Sequence, residues 1–589
     1  MISDSVVTEV TFNSGFIADV SDLVSNSFPD NDGSIDITSQ FMSEPNIREN
    51  IISKEKVQIC SNDDPDSYFT EDKTTLANDL RQWFLEENIC HSAGNKILKI
   101  LNKHMNKNES LPNGTRTLLG TTCNITSYDV SPGNYVYFGL KLGIERNLHT
   151  YFLNHIQLPN KIYSNFNIDG LPISKSSLSQ FWPILASISQ VDFYTEPFVV
   201  GIYHGVTKPT SNNEFLKMFI DEMKELLEFG VNFNNHNSEV GIVAFICDAP
   251  ARAYIINVKS YSGFHSCTKC TTQGEYYERR VIFPELGCKL RTDLSFTMKE
   301  DEDHHKGTSI LESSNFGMVT HFPHDYMHSI CLGVMKKILI LLTKANISIR
   351  LHEEKIESLS SKLLNLKCYI PSEFALKPRS LNELERWKAT EYRQFLLYTG
   401  PVILRDILPD DQYKHFMSLS IAIRILCLDN KKLYSYGHSL LVYFVEHFEV
   451  FYGRENISYN VHGLIHLLSD VEKFGPLDNF SAFKYENALY NLECKLRQTH
   501  KPPLQQIHDR IHESYSHKRD ETVFNTSNPI VDNITVRDGH PTFKNIHFAD
   551  FMLSIDCPNN ICILDDKSIF EIIRIKKTDD EIFLDGKQY

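Results

Sequence analysis

The chain has 589 residues, of which 41 % are hydrophobic and 11 % aromatic, too many for one compact core and enough for two to four domains. The formal charge of −16 is unevenly spread: residues 1–72 hold fifteen Asp and Glu against three Lys and Arg, and the rest holds 60 acids and 56 bases. The folded part is therefore near neutral, which neither favours nor excludes a nucleic-acid partner; no run reaches the apolar length of a membrane span, no secretory leader pattern opens the chain, and the thirteen scattered cysteines suit a reducing compartment.

Residues 1–72 are rich in Ser, Asp and Asn, lack periodicity, and read as a disordered acidic arm. Leu76, Leu80, Trp83, Phe84 and then Ile89, Ile97, Leu98, Ile100 and Leu101 predict two short amphipathic helices. A small packing module is the commoner explanation of such a pair than a helix-turn-helix. This module and a lead-in through Tyr135–Leu142 make up 73–150.

From 151 to 260 the pattern becomes α/β. The run Tyr163-Ser-Asn-Phe-Asn-Ile-Asp169 alternates, with Phe166 and Ile168 on one face and Asn165, Asn167 and Asp169 on the other. Strands are expected around Val191–His204, a helix over about 213–229 with Phe215, Met218, Phe219, Met223, Leu226 and Leu227 inward, and then the apolar run ending at Asp248. A helix is expected to follow from Ala249 to about Lys259. Gly-Leu-Pro after Asp169 and Ala-Pro after Asp248 leave each aspartate at a strand end, where two carboxylates brought together can hold a divalent cation. Each aspartate taken alone reads more readily as a turn cap.

Cys267-Thr-Lys-Cys270 opens the stretch 261–480. It is followed by a charged loop region, in which His304-His305 reads as solvated, and by a long helical region from about Asp325. Leu332, Val334, Met335, Ile338, Leu339, Leu341 and Leu342 recur at helical spacing. Asp325 and His328 stand at its start, as an N-cap or as a polar pair beside a metal site. His462 and His466 lie four apart on a predicted helix, one face of which can hold a metal ion; with an otherwise unpaired CxxC they would complete a Cys2His2 set suited to zinc. Phe483-Lys-Tyr-Glu486 begins a further helix within 481–531, and 532–589 reads as a small β appendage.

In order, Phe166-Asn-Ile-Asp169-Gly-Leu-Pro-Ile-Ser-Lys-Ser-Ser, Cys247-Asp248-Ala-Pro-Ala-Arg-Ala, Cys267-Thr-Lys-Cys270, Asp325-Tyr-Met-His328 and Phe483-Lys-Tyr-Glu486-Asn resemble the CACTA (En/Spm-like) DNA transposases, and more closely the transposase-derived proteins of animal genomes. The resemblance covers roughly 75–510. It implies an RNase H-like mixed sheet interrupted by a large helical insertion, with a catalytic DDE triad of Asp169, Asp248 and Glu486 holding two Mg2+ or Mn2+ ions. The pattern is also similar to the catalytic subunit of the V(D)J recombinase, where a CxxC follows the second aspartate and a histidine pair precedes the glutamate. That likeness implies a structural Zn2+ on Cys267, Cys270, His462 and His466. The implied activity is cleavage and strand transfer of DNA in the nucleus, on transposon ends and target, by a homo-oligomer and without a membrane. No zinc finger or basic module stands at the N-terminus, which leaves open a domesticated DNA- or chromatin-binding protein without catalysis, or an unrelated metal-dependent nuclease.

Overall fold

The computed structural model describes residues 7–11, 76–105, 111–121, 125–153, 157–174, 177–190, 193–314, 316–496, 501–516, 530–532, 535–537, 540–548, 551–564, 568–577 and 582–589. Of the acidic arm, Val7–Thr11 is a strand paired antiparallel with Ile582–Gln588, where disorder was expected; the rest of 1–72 lies outside the described residues.

The fold is α/β, with one mixed sheet and a helical region packed on it. The main sheet strands are β1 (Tyr128–Val130), β2 (Gly133–Tyr137), β3 (Lys161–Ile168), β4 (Gln180–Gln190), β5 (Phe198–Gly205), β6 (Val231–Phe233) and β7 (His236–Phe245), and the short Leu171–Pro172 and Phe193–Tyr194 also pair with β4. Their spatial order is β1-β2-β5-β4-β3-β7-β6, and every neighbouring pair is antiparallel except β3 and β7. The sheet thus starts at Tyr128, inside the stretch read as a lead-in. The parallel pair is joined by a long crossover through β4, β5 and the helix α2 (Asn212–Phe229), as parallel neighbours require. Ser211 caps α2 by accepting from Glu214 N at 3.2 Å, and Gly230, at φ +71°, ends it where a Cβ would meet Ser238 O at 2.5 Å. Asn234 and Asn235 take the positive φ that a two-residue hairpin between β6 and β7 demands.

Two sequence expectations change here. The second half of β3 is buried on both faces, Asn165 and Asn167 included, instead of alternating, because helices cover both sides of the sheet. The strands expected around Val191–His204 lie at Phe193–Tyr194 and Phe198–Gly205, the long β4 before them was not expected, and the helix after Asp248 (α3, Ala249–Ile255) stops four residues early.

One face of the sheet carries α1 (Leu140–Leu153), α2 and α3, with Phe166, Ile168, Ile184, Phe219 and Phe245 in a shared core. Phe166 meets Phe219 edge-on at 5.0 Å between ring centroids. The other face carries the helical region. A single apolar cluster runs from Val136, Phe181, Leu185 and Ile202 into Tyr326, Ile330, Val334, Ile338 and Leu342 and on to Tyr485 and Leu489. The helices of 325–480 therefore share a core with the sheet. Their first member, α4 (Tyr326–Lys344), begins with π-type turns and is long and apolar enough by composition to cross a membrane, against the sequence expectation of no such run. It buries Tyr326, Met327, Ile330, Cys331, Val334, Met335, Ile338, Leu339 and Leu342 in that core, as a central helix of a large domain does.

The N-terminal helices Leu76–Glu86, His91–His104 and Thr115–Leu119 form their own small core around Phe84, Leu98, Leu118 and Leu119; Leu76, Trp83 and Ile100, expected inside, are exposed. They dock on the helix Pro503–Ser516. There His91 Nε2 meets Glu513 Oε1 at 2.9 Å, Thr121 hydrogen-bonds the same carboxylate, Arg116 pairs with Asp509 at 3.2 Å, and Arg510 donates to Ile89 O at 2.8 Å. The C-terminal strands close their own core around Phe570, Ile572, Ile575 and Leu584, and lean on the helical region through Asn559 and Ser372, 2.9 Å apart.

Candidate functional site: an acid cluster beside a buried Cys2His2 group

The parallel pairing of β3 and β7 sends both strands out of the same sheet edge, so Asp169 and Asp248 emerge side by side. Beyond β7 the ladder continues with Ile246 N donating to Phe166 O at 2.7 Å, and Asn167 Nδ2 holds Ile246 O at 2.8 Å. Asp169 folds back on its own turn, its Oδ1 accepting from Gly170 N at 2.6 Å. Asp248 caps α3, accepting from Ala251 N at 2.7 Å.

The third carboxylate arrives from 317 residues away. The helix Phe483–Cys494, which carries Glu486, is fixed to the sheet where the Tyr485 hydroxyl meets Ser187 Oγ of β4 at 2.9 Å, both buried. Its start is fixed by Asp325. That buried carboxylate caps α4, accepting from Met327 N and His328 N, and also accepts from Ala482 N at 2.7 Å. Its Oδ2 further holds His328 Nδ1 at 2.7 Å, and His328 Nε2 stands 3.7 Å from Glu486 Oε1. One ligand atom each from Asp169, His328 and Glu486 lie within 4.8 Å of one another. The group the structure draws together is thus two of the three expected carboxylates and the histidine of the Asp325–His328 pair, with Asp248 alongside.

The electrostatics follow from crowding acids in a half-buried place. Burial, and then the charge of Asp248, push Asp169 up to about 7. Burial also raises Asp248 and Glu486 above the usual carboxylate range. Burial alone would lower His328, but the hydrogen bond and charge of Asp325, with Asp169 and Asp248 behind it, carry it up to about 9. An acid cluster destabilised in this way favours a bound cation.

The second group is Cys267, Cys270, His462 and His466, all buried, both cysteines free thiols. Sγ of Cys267 and Cys270 are 3.6 Å apart, Cys267 Sγ lies 3.5 Å from His466 Nε2, Cys270 Sγ 3.3 Å from His462 Nε2, and the two Nε2 atoms are 3.3 Å apart. A tetrahedron with Zn–S near 2.3 Å and Zn–N near 2.0 Å has edges of roughly 3.3 to 3.8 Å. The four side chains can therefore hold a zinc ion without rearrangement. The histidine segment differs from a plain helix: Tyr459–Gly463 passes through a 3-10 turn, Leu464–His466, before Leu467–Phe474 resumes. Both rings still converge. Burial opposes ionising Cys267, but its bond with Cys270 and the His466 charge hold it well below the ordinary thiol value, while the same bond and burial raise Cys270; the pair shares a proton that an ion would displace.

Three residues that the sequence reading left unassigned join the two groups. Arg252, on α3 and 1 % exposed, donates from Nη1 to Pro323 O at 2.9 Å and from Nη2 to the Tyr459 hydroxyl at 2.8 Å. It thereby ties the Asp248 helix to the approach of Asp325 and to the start of the histidine segment. Lys269, between the two cysteines, meets Asp470 at 2.7 Å, and Asp470 Oδ2 accepts from His324 N at 2.8 Å. A charged residue inside the otherwise apolar Ala251–Ile255 turn is the one sequence signal that could have exposed Arg252. His304, expected in solvent, is fully buried, its Nδ1 2.6 Å from His265 O and its ring edge-on to Phe296; burial lowers it to about 4. It packs the loop region beneath the CxxC and lies outside both groups. Neither a family model nor a curated protein matches the chain.

Proposed function

We propose that the chain is a DDE-type DNA transposase or transposase-derived protein, nuclear, with an RNase H-like core, and that it cleaves DNA phosphodiesters and transfers strands on transposon ends as an oligomer. The observation that carries this reading is the convergence of Asp169, Glu486 and His328, with Asp248 beside them, from two parallel strand ends and a helix 317 residues on. Three antiparallel strands, β5-β4-β3, flanked by a parallel β7 reached through a helix, support the fold assignment.

The donor set fits divalent magnesium or manganese: carboxylate oxygens from Asp169, Asp248 and Glu486, raised toward neutrality by burial and mutual repulsion. When bound, such ions activate a water or a 3′-hydroxyl and stabilise the leaving oxygen in phosphoryl transfer. The protein supplies the placement. Asp169 and Asp248 are fixed by a shared ladder and by their own turn bonds, and Glu486 by Tyr485 and Asp325. Zinc at Cys267, Cys270, His462 and His466 would clamp both ends of the helical insertion, twenty residues ahead of Glu486, and so hold that helix against the aspartates.

Strand cleavage on candidate element ends tests the reading. Wild type with Mn2+ should nick, and Asp248→Asn should not, while retaining its fold by circular dichroism. Equal cleavage by that variant removes Asp248 from the mechanism. DNA binding without any cleavage selects the domesticated, non-catalytic alternative.

A further inference from the structure

We propose that His328 is itself a ligand of the cation held by Asp169 and Glu486, oriented by Asp325, so that the centre carries an imidazole nitrogen beside its carboxylates rather than carboxylates alone. The inference rests on the reading of the acid cluster as a metal centre and goes beyond it in naming a nitrogen donor.

Three features of the geometry carry it. The ligand atoms of Asp169, His328 and Glu486 lie within 4.8 Å of one another. His328 Nδ1 is taken by Asp325 Oδ2 at 2.7 Å, which leaves Nε2 as the ring atom facing Glu486 at 3.7 Å. A histidine whose other nitrogen is held by a carboxylate is the usual arrangement of a metal-bound imidazole, since the carboxylate fixes both tautomer and ring direction. Metal–ligand bonds of about 2.1 Å in an octahedron separate neighbouring ligand atoms by roughly 3.0 Å and opposite ones by roughly 4.2 Å. The 3.7 Å between Nε2 and Oε1 falls between these limits and needs less than an ångström of closure. The buried Asp325 holds the ring and, through Ala482 N, the start of the Glu486 helix, so two of the three ligands share one anchor.

The consequence is selectivity. An imidazole nitrogen favours Mn2+ and later transition ions over Mg2+, which prefers oxygen alone. The competing role for His328 is that of a charged neighbour, balancing the carboxylates without binding the ion.

Mn2+ titrated into the zinc-loaded full chain separates the two, because 14N coupling in the pulsed electron-paramagnetic-resonance spectrum of bound Mn2+ reports a directly bonded imidazole. The expected result is 14N coupling in wild type, lost in His328→Gln with Mn2+ affinity weakened at least tenfold, and Mg2+ competing poorly. Mn2+ bound without 14N coupling, or coupling that persists in His328→Gln, overturns the ligand role and leaves the carboxylate centre standing. No Mn2+ binding sensitive to Glu486→Gln overturns the metal centre and this inference together.

Discussion

Arg252 gives the sharpest test of how the two groups are held together. Its guanidinium is 1 % exposed and makes two charge-assisted hydrogen bonds, of 2.9 Å to the Pro323 carbonyl and 2.8 Å to the Tyr459 hydroxyl. Hydrogen bonds to charged groups contribute about 1.5–3 kcal/mol each. Arg252→Ala forfeits both, strands a buried carbonyl and hydroxyl, and leaves a void, so a loss of about 3–5 kcal/mol is expected. The loss should be local, because the residue links α3 to the 323–325 approach and to Tyr459. Hydrogen exchange read by mass spectrometry suits a large chain in which global unfolding need not be two-state. At about 1.4 kcal/mol per tenfold, exchange in peptides covering 249–256 and 459–463 should accelerate by roughly two to four powers of ten. The N-terminal helices, docked elsewhere, should be unchanged. Arg252→Lys, which keeps the charge and loses the fork, should fall between. Exchange in both segments within threefold of wild type would refute the reasoning.

Metal analysis of purified protein should find one zinc per chain, lost in Cys270→Ser or His466→Ala, with a stability loss of several kcal/mol but below the ~10 kcal/mol of isolated zinc peptides, because the core also packs without the ion; full zinc content in either variant counts against the shared site. In the metal-free protein, Asp169 is raised from its ordinary value to about 7, so its ionisation opposes the fold. The stability it contributes is present below about pH 4 and lost as pH rises through about 7. Asp169→Asn should therefore stabilise metal-free protein at pH 8 by about 1–3 kcal/mol and have little effect at pH 4, which paired melting curves measure; equal shifts at both pH values contradict the burial argument. His415, fully buried with Nε2 2.8 Å from Phe444 O and its ring stacked on Phe444, is lowered by burial to about 4. Its contribution is present above the unfolded value near 6.5 and lost as pH falls through about 4, so His415→Gln should flatten the acid limb of the melting curve between those values.

What could be read in advance followed from periodicity and residue chemistry. The helix over about 213–229 announced itself by its apolar face, and Asp169 and Asp248 by the punctuation after each strand. The four zinc-type ligands were legible only as a set, since the CxxC and the histidine pair are each ambiguous alone and the resemblance is what joined them. The strand β4 was missed because Pro183 argues against a central strand. The structure accommodates it where pairing with β3 ends, at Ile168 opposite Ile184, and where the register to β5 shifts between Ile184 and Leu185. His328 was legible only as a partner of Asp325; that its ring meets Glu486 depends on Asp325 capping α4 and holding Ala482 at once, a long-range choice that no local pattern encodes. Lys269 and Asp470 meet across 201 residues for the same reason.

The docking of the first helices has a consequence in time. Glu513, fully buried, receives His91 and Thr121, yet 422 residues separate His91 from it. At synthesis rates of about 5–20 residues per second, the first helices emerge from the ribosome roughly 20–80 s before their partner exists. Until then the faces of His91 and Arg116 that Glu513 and Asp509 will cover stay open, and so does the neighbouring backbone carbonyl of Ile89. The N-terminal helices are thus made early and seated late, and their docking reports that translation has passed the helix Pro503–Ser516.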